Sequence, residues 1–77
     1  MDYEKTLTRK QCERFAFMLR QKRKDNKLTL KELENKLGYP IATISNWERL
    51  KTAPDMYNVE DVATYFNLPM DVFLGEG

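Results

Sequence analysis

Histidine is absent from the 77-residue chain, and Cys12 is its one cysteine. A lone cysteine cannot form an internal disulfide, which excludes a disulfide-stapled fold. A Ser-His-Asp triad requires a histidine, and a structural zinc site requires several Cys or His ligands. These absences predict a protein that is not an enzyme and that uses no cofactor or metal. We interpret Cys12 as a small buried hydrophobe and not as a reactive thiol.

Long apolar runs are also absent, so the sequence offers no candidate for a transmembrane helix. Residues 1–10 lack the apolar core of a signal peptide, and we therefore expect a cytoplasmic protein. The chain contains no internal repeat, linker or low-complexity segment. We expect residues 1–77 to form a single domain, with residues 1–7 as a mobile arm.

The strong positive charge of many nucleic-acid binders is missing, since the net charge is only +1. The charge is unevenly distributed: residues 1–36 hold 11 Lys/Arg against 6 Asp/Glu, and residues 37–77 hold 2 against 6. A domain polarised in this way can still turn one face towards phosphates. The basic run from Arg20 to Lys27 is either a solvated helix end or a patch that steers the protein towards a polyanion.

What the sequence does contain is helical periodicity with clear starting signals. Thr8 and Gln11 have the spacing of a capping box, which predicts that the first helix begins after Thr8. An apolar stripe at helical spacing follows and ends at an arginine: Cys12, Phe15, Ala16, Leu19 and Arg23. Phe17 and Met18 fall outside this stripe. They are either ordinary exposed side chains or a surface for a protein partner.

The most informative stretch runs from Thr29 to Glu48. Thr29 and Glu32 form a second capping-box pattern. Gly38 supplies a left-handed helix end, and Pro40 suits the start of the next helix. The apolar residues between these signals recur at helical spacing: Leu30, Leu33 and Leu37. The stretch therefore predicts two short helices joined by a tight turn.

The second helix of this pair has two different faces. Ile44 and Trp47 share an apolar side, and we interpret Trp47 as a core residue and not as a platform for stacking bases. Small or polar side chains project from the opposite side: Ala42, Ser45, Asn46 and Arg49. A short helix of this kind can enter a DNA major groove.

The remaining chain predicts two more helices and therefore an all-α fold. Asp55 or Asn58 caps the fourth helix, and Asn67 ends it in a left-handed conformation. A short fifth helix follows Pro69. The residues expected to be largely buried and in mutual contact are Leu33, Leu37, Ile44, Trp47, Val62 and Phe66.

Two motifs stand out in the central part of the chain: L-T-x-x-x-L-x-x-x-L-G over residues 28–38 and T-I-S-x-W-E over residues 43–48. With them, the segment from Phe15 through Leu74 resembles the lambda-repressor/Cro-like (XRE) family of helix-turn-helix proteins. The resemblance implies a compact five-helix lambda-repressor-like domain whose second and third helices form the helix-turn-helix. It also implies a sequence-specific transcription regulator of bacterial or phage type, such as a repressor, that binds double-stranded DNA as a homodimer.

By the same resemblance, the recognition helix spans residues 41–49 and lies in the major groove. The residues matched to base-reading positions are Ile41, Ala42, Ser45 and Asn46, and those matched to phosphate-contacting positions are Thr43, Arg49, Lys51 and Thr52. The resemblance also implies a structural ion pair between Arg23 and Glu48. Asn46 is the one base-facing side chain able to hold adenine through two hydrogen bonds. The alternative is that Asn46 is an ordinary solvated helix residue.

The chain departs from the family pattern at three positions. Glu34 stands where a small residue lets the two helices approach, so it must turn aside or widen their crossing. Leu30 replaces a polar residue that often holds a phosphate. Leu50 replaces a glycine that often ends the recognition helix, which predicts a frayed or extended end. These departures keep open an alternative function, a protein-binding helix-turn-helix module such as an antirepressor or repressor modulator.

Overall fold

The computed structural model describes residues 7–75, and this part of the chain forms five helices and no strand. The helices are α1 (Arg9–Asp25), α2 (Leu30–Leu37), α3 (Ile41–Glu48), α4 (Met56–Phe66) and α5 (Met70–Leu74). The prediction of an all-α, five-helix fold is confirmed. The predicted mobile arm falls outside the described residues except for Leu7, which is buried in the core. Leu7 therefore does not belong to such an arm.

Three helices begin at a capping box, in which the cap side chain and the third helical residue satisfy each other's backbone amides. Each box leaves fewer unpaired amides in the first turn, which fixes where the helix starts. The boxes confirm the three sequence-based starts, and in the fourth helix Asp55 is the cap. The pairs are Thr8 with Gln11, Thr29 with Glu32, and Asp55 with Asn58.

The end of α3 is closed by two backbone hydrogen bonds. The amide of Leu50 donates to the carbonyl of Trp47 at 3.2 Å, and the amide of Lys51 donates to the carbonyl of Asn46 at 2.8 Å. This Schellman pattern requires a left-handed residue, and Leu50 takes that conformation with φ 59°. The prediction of a frayed or extended end is wrong, because Leu50 adopts the conformation usually given to glycine.

All five described helices contribute to the core, which includes the fully buried Phe15. The Phe15 ring meets the Trp47 ring edge-on at 5.7 Å between centroids and the Phe73 ring at 6.0 Å. Of the predicted core, Leu37 and Phe66 are only half-buried and pack at its margin. The predicted residues found fully or almost fully buried are Leu33, Ile44, Trp47 and Val62.

Two expectations about α1 need correction. Cys12 is half-buried at the edge of the core and not fully enclosed. Partial burial still raises the pKa of its thiol, which favours the unreactive protonated form. Met18 packs against the core, whereas Phe17 is 64% exposed. The two side chains therefore do not form one exposed surface, and Phe17 alone is presented to solvent.

Candidate nucleic-acid interface

The outer surface of α3 carries the side chains that the family resemblance assigns to base reading. Ile44 and Trp47 point into the core, which turns the opposite side of the helix outward. Of the four assigned residues, Ala42 is exposed and the other three are half-buried: Ile41, Ser45 and Asn46. The structure thus places all four on one accessible helix.

The residues assigned to phosphate contacts flank this helix. Thr43 is half-buried on α3 itself, whereas Arg49, Lys51 and Thr52 are exposed immediately after its last turn. Among residues 7–75, neither Arg49 nor Lys51 forms an ion pair. Both cations are therefore available to an anion beside the end of α3.

The beginning of α3 presents backbone amides. The carbonyl of Pro40 accepts hydrogen bonds from the amides of Thr43 and Ile44, and no side chain caps the helix. The first turn of a helix has no carbonyls of its own for its leading amides, and the helix dipole adds positive potential there. The beginning of α3 therefore favours negatively charged groups, as do Arg49 and Lys51 after its end.

Arg23 and Glu48 form a bidentate ion pair in the structure. Arg23 Nε donates to Glu48 Oε2 at 2.8 Å and Arg23 Nη2 donates to Glu48 Oε1 at 2.9 Å. A planar guanidinium facing a carboxylate in this way fixes orientation as well as distance. This hydrogen bonding to Glu48 is the main reason that the pKa of Arg23 is raised. The pair ties the last residue of α3 to the C-terminal part of α1.

The same guanidinium also reaches the loop that precedes α2. Arg23 Nη1 donates to the backbone carbonyl of Leu28 at 3.1 Å, one residue before the Thr29 cap. One side chain thus connects α1, the start of α2 and the end of α3. Because it bonds to the last residue of α3 and to the loop that leads into α2, Arg23 fixes the helix-turn-helix against the support helix at two points.

A second anchor, which the sequence analysis missed, holds the turn between α2 and α3. The Tyr39 hydroxyl donates to Asp61 Oδ2 and accepts from Asn58 Nδ2 at 3.2 Å, both on α4. The Tyr39 ring meets the Trp47 ring edge-on at 5.2 Å between centroids. Partial burial and the nearby Asp61 carboxylate raise the pKa of Tyr39, so the hydroxyl keeps its proton.

With both ends of α3 anchored, the geometry is that of a helix-turn-helix. A family model described as helix-turn-helix matches residues 19–73, from the middle of α1 into α5. The chain belongs to this helix-turn-helix family, of the lambda-repressor-like (XRE) type. Its members are DNA-binding regulatory domains and are not typically enzymes. No curated protein and no solved structure gave a significant match to the chain.

Within this helix-turn-helix family pattern, the structure shows what two of the unusual residues do. Leu30 is half-buried and packs against the core, so α2 offers an apolar contact at a position that often binds phosphate. The Glu34 carboxylate is turned along its own helix towards Lys31, with 3.3 Å between Lys31 Nζ and Glu34 Oε1. Glu34 thereby turns aside, one of the two outcomes expected for it.

Two further observations concern other kinds of site. Residues 7–75 contain no group of three or more His, Cys, Asp or Glu side chains arranged to hold a metal ion. Among the helices that the structure describes, none is long and apolar enough to cross a membrane. Neither observation adds a site to the one formed around α3.

Proposed function

We propose that this protein is a sequence-specific transcription regulator of bacterial or phage type that acts in the cytoplasm by inserting α3 into the DNA major groove. The observation that carries the proposal is the surface of α3. Ala42, Ser45 and Asn46 give it short side chains that are exposed or half-buried, and its last turn is followed by Arg49 and Lys51, which form no ion pair among residues 7–75. Short side chains let the helix backbone approach base edges, and flanking cations contact phosphates.

Base reading would depend mainly on Asn46. A carboxamide can donate to one acceptor and accept from one donor, which matches the major-groove edge of adenine. Ile41 and Ala42 supply apolar contact for a thymine methyl group, which biases the site towards A·T pairs. Ser45 adds one adaptable hydrogen-bonding group between them.

Phosphate binding would set affinity and register. The backbone of Lys51 is tied to the carbonyl of Asn46 at 2.8 Å, so its side chain leaves α3 at a fixed point relative to the reading face. Arg49 precedes it by two residues, and Thr43 and Thr52 add hydroxyls for phosphate oxygens. Two copies of the chain on a two-fold operator would repeat these contacts one helical turn apart.

A salt titration with duplex DNA of random sequence tests the proposal. If Arg49 and Lys51 each neutralise one phosphate, raising the salt from about 50 to about 200 mM should weaken binding by each copy about tenfold. A reversal of both charges, in Arg49→Glu with Lys51→Glu, should remove that binding. Reversal of the exposed Lys36 on α2, in Lys36→Glu, is the matched control and should change the affinity for random duplex DNA little. Absence of binding even at the lower salt would contradict the proposal.

The second candidate function is a protein-binding helix-turn-helix module, such as an antirepressor or repressor modulator. One observation favours it: Leu30 packs against the core where relatives often present a polar group to phosphate. This candidate predicts almost no affinity for random duplex at either salt concentration. The same titration therefore separates the two functions.

A further inference from the structure

The outer face of α1 is a charged surface that DNA reading leaves unused. Phe17 lies at its centre and is 64% exposed. Helical spacing places four exposed cations around it, at roughly one-turn intervals along the helix. We call these five residues the α1 stripe: Lys10, Arg14, Phe17, Arg20 and Lys24.

The cations of the α1 stripe have no partner of opposite charge in the part of the chain that the structure describes. Among residues 7–75, none of the four forms an ion pair. Glu13 lies on the same face, but its carboxylate is already taken by Arg9 at 3.1 Å. Within the described part of the chain, the stripe is therefore a line of cations without ion-pair partners, with one aromatic ring in the middle.

An open groove of about 850 Å³ runs beside Phe17, between the first half of α1 and the end of α5. Its apolar lining includes Phe17 and Leu74, and its charged lining consists of one carboxylate and three cations: Glu13, Arg9, Lys10 and Arg14. Arg14 Nε donates to the backbone carbonyl of Val72 at 3.1 Å, which holds this side chain against α5. The groove can thus receive an apolar side chain next to a fixed cation.

The α1 stripe points away from the recognition helix. α3 packs on the other side of α1, where Phe15 meets Trp47 and Arg23 meets Glu48. Phe15 lies two residues from Phe17 and so on nearly the opposite side of the helix. A molecule docked on the stripe would leave α3 free to contact DNA.

We propose that the α1 stripe docks an acidic amphipathic helix of another protein. A large apolar side chain of that helix enters the groove beside Phe17, and its carboxylates lie over the four cations. From Lys10 to Lys24 the stripe is about 21 Å long at the rise of an α-helix. This length matches about four turns of a partner helix and is greater than the length of a small ligand. Aromatic residues and arginine are enriched at protein interfaces, and the stripe places Phe17 between Arg14 and Arg20.

Two other occupants fit the charges less well. Symmetric pairing of the stripe with a second copy would bring like charges together, which opposes association. In a head-to-tail contact α4 would offer two carboxylates to the four cations of the stripe, Glu60 and Asp61, and Asp61 already accepts the hydrogen bond of Tyr39. A partner that brings its own carboxylates avoids both problems.

A peptide titration tests the inference on the full chain. The probe is a capped peptide of Glu, Ala and Leu patterned as an amphipathic helix, added to isotope-labelled protein and followed by NMR. We expect saturable shifts in α1 and α5 and none in α3, before and after the protein is saturated with duplex DNA. Phe17→Ala should weaken binding roughly tenfold or more, as loss of a hot-spot aromatic does.

Control variants and a control peptide test whether binding depends on charge, and melting temperatures test whether the variants fold. The double variant Lys10→Glu with Lys24→Glu should lose binding, whereas Lys36→Glu on α2 should keep it. The same peptide with Lys in place of every Glu should not bind. All the substituted side chains are exposed, so unchanged melting temperatures are expected and show that the variants fold.

Four results would overturn the inference. The acidic peptide could fail to bind, or could bind Phe17→Ala as well as the original chain. Sedimentation could show a dimer of the chain alone that Phe17→Ala dissociates, which would assign the stripe to a second copy. Finally, duplex DNA alone could shift the amides of the stripe, which would assign it to phosphate binding.

Discussion

Arg23 and Glu48 are withdrawn from water, with 13% and 7% of their side chains exposed. Removing the carboxylate by Glu48→Ala leaves the guanidinium buried with only the Leu28 carbonyl as partner. We expect a loss of about 3–5 kcal/mol in the free energy of unfolding, measured by urea denaturation. The matched control is Glu13→Ala, because its pair with Arg9 is exposed and should contribute less than about 1 kcal/mol. Equal losses in the two variants would contradict a structural role for Arg23 and Glu48.

Tyr39 should give the stability a dependence on alkaline pH. Its folded-state pKa is raised, so the folded protein holds the phenolic proton more tightly than the unfolded chain does. The corresponding stabilisation is complete below the unfolded pKa of about 10 and is lost as the pH rises through the folded pKa. Tyr39→Phe should cost about 1 kcal/mol at neutral pH through the lost hydrogen bonds, and less above pH ~10. The melting temperatures of the original chain and of Tyr39→Phe, measured from neutral to alkaline pH, test this. A difference between the two that does not change with pH would contradict the prediction.

These two anchors differ in how far the sequence reveals them. Arg23 and Glu48 were expected because both match positions of a recognisable family pattern. Tyr39 was not, since its partner Asp61 lies 22 residues further on and no periodicity relates the two. A hydrogen bond between a turn and a distant helix depends on how the helices cross, which is a property of the packed molecule.

At the scale of the element, the left-handed residues define where helices stop. Leu50 occupies such a conformation with φ 59° and is 39% exposed, so the contacts of its side chain only partly offset the strain. Leu50→Gly should therefore raise the stability by about 1 kcal/mol. The reverse test is Gly38→Ala, where φ is 84° and the added methyl group would meet no atom within 4 Å. It should lower the stability by about 1 kcal/mol, so changes of the same sign in the two variants would refute the argument.

Substitutions in and beside the recognition helix should affect DNA specificity and DNA affinity separately. Asn46→Ala should cost about 1–3 kcal/mol at one base position of a selected operator and leave binding to random duplex unchanged. Lys51→Ala should weaken binding to all DNA sequences alike. It should also reduce the slope of log affinity against log salt concentration by about one phosphate contact. Fluorescence anisotropy with both DNAs measures these effects, with Lys36→Ala as the control cation. Equal affinity of Asn46→Ala and the original chain for the operator would make Asn46 an ordinary surface residue.

The helix starts were predictable because a capping box is a local signal, contained within four consecutive residues. The end of α3 was not, because leucine disfavours a left-handed conformation in isolation. The bonds from Leu50 and Lys51 to the last turn, together with the packing of α3, hold it there. Local sequence preference thus determines where each of these helices begins, whereas tertiary structure determines where α3 ends.

At the scale of the whole molecule, stability depends on a core in which Leu33 has no exposed surface. Leu33→Ala should cost about 2–5 kcal/mol, a large share of what a domain of this size has. Thermal unfolding measures the loss, and Leu37→Ala at the half-buried margin is the comparison that should cost less. An unchanged melting temperature for Leu33→Ala would contradict the packing of α2 described above.

Periodicity identified most of the core but not its edge. A residue on the boundary of an apolar stripe points inward or outward according to the neighbouring helix, as Met18 and Phe66 show. Met18 packs inward although it lies off the stripe, whereas Phe66 lies on the stripe and is only half-buried. Which side of that boundary a residue takes is decided by helix crossing angles that the sequence does not state.

The position of Phe73 bears on how the protein becomes functional during its synthesis. Phe73 is fully buried and its ring lies 6.0 Å from that of Phe15, so α5 completes a core that α1 begins. The bond from Arg14 to Val72 likewise joins residues 58 positions apart in the chain. A core closed by such distant contacts cannot assemble while the chain is still short. The helix-turn-helix leaves the ribosome before α5, and we therefore expect it to acquire a rigid reading surface only after Phe73 has been added to the chain.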